Sequence, residues 1–160
     1  MKKRRERGFS LIELLIVVAI IGIIAAIAIP NLLKSQQAAR ETAAVTEVQS
    51  IGKAQVLYSV TKGRGKFGDL AALGAEGNID STLASGIKGG YQFTSTPINN
   101  EGMAPMYDTT AKPTSVGTFG TGNTSYYANE TQIVYEAEGG EPPSATPQDR
   151  VPKNGTVFSR

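Results

Sequence analysis

The acidic residue Glu13 stands out in this sequence because it lies inside an apolar run. Residues 14–29 contain no charged side chain, and residues 9–29 contain only two polar ones, Ser10 and Glu13. A carboxylate in a membrane-spanning helix costs about 2.5–3.5 kcal/mol at the helix centre and less near the interface. Such a residue usually has a partner or a function. Glu13 is therefore the first candidate for chemistry or assembly.

The composition removes most other groups that catalyse reactions or bind metals. The 160 residues include no cysteine and no histidine. A disulfide framework, a thiolate metal site, a cysteine nucleophile and a histidine base are therefore excluded. We predict that the chain is not an enzyme and has no catalytic residue, metal site or cofactor. An exported protein of this kind must hold its shape by packing, by ions or by assembly.

Two explanations for Glu13 remain open. Ser10 and Glu13 fit the capping-box pattern S-x-x-E, in which two side chains satisfy backbone donors at a helix start. Alternatively, cleavage of the Gly8–Phe9 bond frees a positive amine at Phe9. Glu13 of one subunit can then meet the amine of its neighbour in a bundle of parallel helices, and such a pair sets the register between subunits. The same atoms can serve in both ways.

Positive charge is concentrated ahead of the apolar run. Residues 1–8 hold five of the 16 basic residues and one of the 14 acidic ones. The run is long enough for a membrane span, which needs about 20 residues, and its flanking cations favour a cytoplasmic N-terminus. Three kinds of segment fit: an uncleaved signal anchor, a secretory signal cut after Ala28, and a signal cut at the start of the run.

Residues 7–14, with the sequence Arg-Gly-Phe-Ser-Leu-Ile-Glu-Leu, resemble the prepilin signature of type IV pilins and type II secretion pseudopilins. The resemblance is close through about Asn31. It implies that a prepilin peptidase cuts after Gly8 and methylates Phe9, and that Glu13 carries the register-setting charge. The C-terminal half lacks the cysteine pair of many type IV pilins and the tryptophan segment of major pseudopilins. The subtype therefore stays open.

The resemblance implies a structural subunit of a type IV pilus-like filament, polymerised through its N-terminal helix, for adhesion, twitching motility or DNA uptake. One alternative is a pseudopilin, which forms the periplasmic piston of a type II secretion system. Another is a Sec-secreted binding domain. The implied partners are copies of the chain in a helical homo-oligomer, prepilin peptidase, the assembly platform with its ATPase, and minor pilins. Whether nucleic acid is a partner stays open.

The resemblance also implies where the chain is found. The precursor is expected in the inner membrane as a single-pass protein with a cytoplasmic N-terminus. The assembled subunit is expected in an extracellular filament, or in a periplasmic pseudopilus under the alternative function.

The predicted fold is α+β, a long N-terminal helix packed on a small antiparallel sheet. The helix runs from about Ser10 to Lys62, and it is apolar in its first half and amphipathic in its second. An apolar stripe on the second half includes Val48, Ile51 and Tyr58, which we expect in the core of the head. The charged residues of this half, Arg40, Glu41 and Glu47, are expected on the solvated face.

Two residues weaken the predicted helix, Gly22 and Pro30. Pro30 lacks a backbone donor and clashes with the carbonyl four residues earlier, so it kinks or interrupts the helix. An assembly role for this weak point and a simple end of the membrane span at Pro30–Asn31 both remain open.

The chain is expected to contain five segments along its length. They are a leader at 1–8, a transmembrane and filament-core helix at 9–30, an amphipathic continuation at 31–62, a loop and sheet head at 63–138, and a Pro-rich mobile tail at 139–160. The head is expected to hold helical turns at 70–73 and 79–87, and strands at 90–96, 103–110, 124–127 and 131–136. A hinge is expected at 128–130.

Two binding patterns in the head are weak. Residues 63–66, Gly-Arg-Gly-Lys, lack the rest of a phosphate-binding loop and fit a flexible basic loop better. Asp69, Asp80 and Asp108 are candidate calcium ligands, but no dense acidic loop surrounds them.

Overall fold

The computed structural model describes residues 9–159, and the chain divides into two compact units after Ser35. Helix α1 spans Leu11–Thr61, within one residue of the prediction at each end. In the first unit, no described residue is buried, and α1 is long and apolar enough there to cross a membrane. A helix that is apolar all round needs lipid or other helices as surroundings.

In the second unit, one face of α1 packs on the head. Val48 and Ile51 are completely buried, and Tyr58 is partly buried against the same core. The spacing of three or four residues puts these side chains on one side of the helix. The helix ends where the N–H groups of Lys62 and Gly63 both donate to the Tyr58 carbonyl, at 3.0 and 2.8 Å.

Two short helices follow α1. Helix α2 spans Leu70–Ala75 and helix α3 spans Ser81–Ala84. Each begins at an aspartate whose carboxylate accepts a backbone N–H three residues later: Asp69 from Ala72 at 2.8 Å and Asp80 from Leu83 at 3.0 Å. This N-cap bond satisfies a donor that has no partner within the helix.

The head contains one antiparallel sheet of six strands, arranged in the order of the chain. The strands are β1 (Ile87–Lys88), β2 (Tyr91–Ile98), β3 (Met106–Pro113), β4 (Thr124–Asn129), β5 (Val134–Glu138) and β6 (Thr156–Val157). The predicted α+β class, a long helix on a small antiparallel sheet, is confirmed. Buried and exposed side chains alternate along β2, as its sequence predicts.

Several predicted element bounds were wrong. The prediction starts β3 at Met103, but residues 101–103 form a turn in which Gly102 has φ 82°, a value that favours glycine. The predicted hinge at 128–130 is also misplaced, since Ala128 pairs with Val134 and Asn129 with Asp108. Of the predicted turn at 79–87, only Ser81–Ala84 is helical.

Composition predicts mobility for the segment 139–160, but residues of this segment contact the sheet in this structure. Thr156 and Val157 form β6 and pair with Glu136 and Tyr135 of β5. Pro143 is also buried. The segment therefore covers one edge of the sheet, which a sequence rich in proline does not reveal.

Candidate functional site

The start of α1 forms a capping box. The Ser10 N–H donates to Glu13 Oε2 at 2.9 Å, and the Glu13 N–H donates to Ser10 Oγ at 3.3 Å. Both residues are exposed, and the adjacent Phe9 side chain is 79% exposed. Within one chain, the Glu13 carboxylate thus satisfies a backbone donor at the helix start.

Of the other predicted processing and assembly residues, the structure describes Gly22 and Pro30. Gly8 lies outside the described residues. A Cβ at Gly22 would meet nothing within 4 Å. Pro30 lies inside α1. The helix continues past it to Thr61, so the chain is not interrupted at this proline.

Polar side chains of α1 bind the head, contrary to the prediction that this charged face is solvated. The Asn123 N–H donates to Glu41 Oε1 at 2.8 Å. Lys88 Nζ lies 2.6 Å from Glu47 Oε1 and 2.7 Å from Asp80 Oδ2. The hydrogen bond from Lys88 is the main cause that lowers the pKa of Asp80, and Asp80 and Glu47 in turn raise the pKa of Lys88.

A buried glutamine joins α1 to the loop that follows it. Gln55 is completely buried. Its Nε2 donates to the Gly68 carbonyl and to Ser95 Oγ, at 2.5 and 2.8 Å, while its Oε1 accepts the Gly68 N–H at 3.0 Å. These bonds connect the helix, the loop before α2 and strand β2.

An ionic cluster holds the C-terminal segment on the sheet. Arg150 Nε and Nη2 donate to the two oxygens of Glu130, and Nη2 also donates to Asp108 Oδ1, all at 2.7 Å. Tyr127 Oη donates to the same Asp108 oxygen at 2.6 Å. Asn129, completely buried, donates from Nδ2 to the Arg150 carbonyl at 2.8 Å. Both the side chain and the backbone of Arg150 are therefore bound.

The cluster shifts several pKa values. Burial by itself raises the pKa of Glu130, but the hydrogen bonds and charge of Arg150 outweigh it and leave that pKa below its usual value. Burial, together with the bond to Asp108, raises the pKa of Tyr127. Burial raises the pKa of Tyr107 to about 12. At neutral pH these tyrosines are thus uncharged and Glu130 is ionised.

The weak binding patterns of the head have structural explanations. Asp69 and Asp80 cap helices, and Asp108 pairs with Arg150. Within residues 9–159, no group of three or more acidic, cysteine or histidine residues could hold a metal ion. In the Gly-Arg-Gly-Lys turn, the N–H groups of Gly63, Gly65 and Lys66 donate to backbone carbonyls, which makes the turn a helix terminator.

Sequence reasoning missed Arg150, Glu130, Gln37 and Gln55. Each is polar, and each forms its bonds with residues far away along the chain. The sequence gives a weak local sign for Gln55, which lies on the same side of α1 as the apolar stripe. A buried amide there is costly unless it has hydrogen-bond partners.

Comparison with known proteins supports the N-terminal motif. Residues 3–29 match the family described as the prokaryotic N-terminal methylation motif. The chain is 52% identical over 60 residues to the type IV major pilin protein PilA of Myxococcus xanthus, which covers 38% of this chain and 27% of that protein. It is 46% identical over 57 residues to the type IV wide pilus major component PilA4 of Thermus thermophilus, or 36% of this chain and 44% of that one.

A secretion protein also matches the chain. The type II secretion system core protein G of Aeromonas hydrophila is 34% identical over 64 residues, which are 40% of this chain and 45% of that protein. The chain thus spans less than half the length of each of these relatives. No solved structure matches the chain.

The matches to these relatives extend over 57 to 64 residues, and the family match covers residues 3–29, which include the motif. Residues 3–29 of this chain therefore carry the prokaryotic N-terminal methylation motif, and the chain is similar over about 60 residues to two type IV pilus proteins and a type II secretion core protein.

Proposed function

We propose that this chain is a structural subunit of a type IV pilus-like filament and has no catalytic activity. The subunit is held in the inner membrane by residues 9–30, with its N-terminus in the cytoplasm. Prepilin peptidase cuts between Gly8 and Phe9 and methylates the Phe9 amine. An assembly platform and its ATPase then extract the subunit into a homo-oligomeric filament.

One observation carries this proposal: the first unit exposes a long apolar surface that also contains one carboxylate. Ile12, Leu15 and Ile23 are 66%, 59% and 65% exposed. A surface like this requires lipid before assembly and neighbouring helices afterwards. Because both surroundings are apolar, extraction changes the hydrophobic free energy little, and the direction must come from an external energy source.

Glu13 supplies specificity in the filament. Its carboxylate caps α1 through Ser10 in one subunit, and in the filament it pairs with the amine at Phe9 of a neighbour. A charge that is unpaired among apolar helices is costly, so this pair favours one register over others.

Gly22 and Pro30 make the filament-core helix adaptable. Glycine lowers helix stability by about 1 kcal/mol relative to alanine, and Pro30 leaves the Ala26 carbonyl without its helical donor. We propose that these weak points let the helix bend or melt locally when the subunit packs among its neighbours.

A pseudopilin of a type II secretion system is the second candidate, because core protein G of Aeromonas hydrophila is 34% identical to this chain over 64 residues. The higher identity to the two pilus proteins, 52% and 46% against 34%, favours the pilin. The pseudopilin would share each N-terminal residue role but form a short periplasmic filament. In the filament, the exposed head would serve adhesion, motility or DNA uptake.

The experiment that tests this function is mass spectrometry of the N-terminal peptide, in material sheared from the cells and in the cell-bound fraction. We expect a peptide that starts at methylated Phe9 in the sheared fraction. Methylated Phe9 in the cell-bound fraction alone would favour the pseudopilin. A chain that starts at Ile29 would overturn both and indicate an ordinary secreted domain.

A further inference from the structure

The loop between β3 and β4 exposes an apolar patch that the proposed function does not use. We call residues 114–123 the Phe119 loop. Its ten residues, Thr-Ser-Val-Gly-Thr-Phe-Gly-Thr-Gly-Asn, include no charged side chain. Phe119 is 84% exposed and Val116 is 53% exposed. An exposed aromatic ring on a loop without charged side chains is typical of a site that binds a surface less polar than water.

The Phe119 loop is held in a defined shape by the head. Gln37, which is buried, donates from Nε2 to the carbonyls of Gly117 and Gly120, at 2.7 and 3.0 Å. The Gly117 N–H donates to Asn123 Oδ1 at 2.9 Å, and the Gly120 N–H donates to the Gly117 carbonyl at 2.9 Å. These backbone groups therefore keep their partners if the loop leaves water, which removes much of the cost of that transfer.

The anchor of the loop lies close in sequence to the proposed membrane span. Gln37 follows Ile29, the last residue of the apolar run, by eight positions. Eight residues rise only about 12 Å as a helix and reach at most about 29 Å when fully extended. Gln37, which anchors the Phe119 loop, therefore lies within about 29 Å of the end of the apolar run, whatever the orientation of the head.

We propose that, before assembly, the Phe119 loop inserts Phe119 and Val116 into the headgroup region of the bilayer. The occupant is lipid because the loop combines exposed apolar side chains, no charged side chain of its own, hydrogen-bonded backbone groups at Gly117 and Gly120, and a short tether to the span. Phenylalanine is among the apolar residues that interfacial segments bury at the boundary between headgroups and acyl chains. The proposal rests on the membrane-held precursor of the proposed function.

The chain has no tryptophan, so a single introduced tryptophan reports on its own surroundings. The full chain is reconstituted into phosphatidylcholine vesicles with and without a lipid that carries a spin-label quencher near the headgroup. For Phe119→Trp, we expect an emission maximum at shorter wavelength than in water and at least twofold quenching by the shallow label.

Two further variants serve as controls. Val60→Trp replaces a side chain that is also in the second unit and 75% exposed, but it lies roughly 35 Å further along α1 than Gln37. We expect emission as in water and no quenching. Ile21→Trp lies in the apolar run, where we expect quenching by a label deep in the acyl chains.

The combinations separate the two proposals. If Ile21→Trp is not quenched, the membrane-held precursor itself fails. If Ile21→Trp is quenched but Phe119→Trp is not, the lipid contact is overturned alone. A shift of Phe119→Trp emission that disappears on dilution of the protein in lipid would assign the patch to a second copy of the chain. Equal quenching at Val60→Trp would show a head that lies on the bilayer without preference for this loop, which also overturns the proposal.

Discussion

Arg150 binds the Glu130 carboxylate through two parallel hydrogen bonds, from Nε to Oε1 and from Nη2 to Oε2, both at 2.7 Å. This geometry matches the planar guanidinium to both oxygens at once. Arg150 lies in the C-terminal segment and Glu130 follows strand β4, so the pair fixes the end of the chain to the sheet. A chain without cysteine thus holds this segment with ions and hydrogen bonds.

Loss of Arg150 should destabilise the head. Arg150→Leu leaves Glu130 and Asp108 partly buried without their cation; the side chains of all three are at most 25% exposed. Exposed ion pairs contribute under about 1 kcal/mol, and breaking a fully buried pair costs about 3–5 kcal/mol. We expect an intermediate loss, about 2 kcal/mol.

The measurement is thermal unfolding of the full chain in detergent, followed by the near-ultraviolet signal of the head tyrosines. Lys153→Leu is the matched control, because Lys153 is a cation in the same segment but is exposed, and it should change the unfolding free energy little. Equal effects of the two variants would contradict the structural role of the Arg150 cluster.

Stability should depend on pH through Glu130. Its pKa is lower in the folded chain than in the unfolded one, since Arg150 outweighs the effect of burial. The unfolded state then binds more protons, so this contribution is complete above the unfolded pKa of about 4.3 and is lost as pH falls through the folded pKa. We expect Glu130→Gln to flatten the dependence of unfolding free energy on pH between about 5 and 3. An unchanged slope in this variant would exclude Glu130 as its source.

Gln55 should be important for stability although it carries no charge. Gln55→Leu preserves size but leaves the N–H and C=O of Gly68 without their partner, and each buried unpaired group costs about 1–3 kcal/mol. We expect a loss of about 2–4 kcal/mol in denaturant unfolding. Gln49→Leu, at an exposed position of the same helix, should differ from the parent by less than about 0.5 kcal/mol. A Gln55→Leu chain as stable as the parent would show that water replaces the glutamine.

Ser10 and Glu13 variants can separate the capping box from the register charge. Ser10→Ala removes the cap bond at Glu13 N–H and costs about 1 kcal/mol of helix stability, but it keeps the carboxylate. Glu13→Gln keeps an acceptor for the Ser10 N–H but removes the charge. We expect filaments from Ser10→Ala and few from Glu13→Gln, as counted by electron microscopy. Immunoblotting of the membrane fraction should detect the precursor of both variants. Normal filaments from Glu13→Gln would refute the register hypothesis.

Much of the helix was predictable from the sequence because its signals are local. The apolar run, the capping pattern at Ser10 and the stripe through Val48 and Ile51 each extend over a few turns. The alternation of buried and exposed side chains in β2 is equally local. It places Tyr91 and Phe93 on the side of the strand that faces the core. Strand bounds were less predictable, because the turn at Gly102 and the pairing of Asn129 depend on neighbouring strands.

The sequence by itself determined the membrane-type helix, the N-terminal methylation motif and the α+β class, since each depends on composition or on short periodic patterns. Only the tertiary structure decided which polar groups become partners. Gln37 forms a hydrogen bond with Gly117, and Arg150 with Glu130, although each pair is far apart along the chain. These bonds depend on the register of the strands and on the path by which the C-terminal segment returns to the sheet. A hydrogen bond needs its two atoms within about 3 Å, and no local pattern specifies that distance between remote residues.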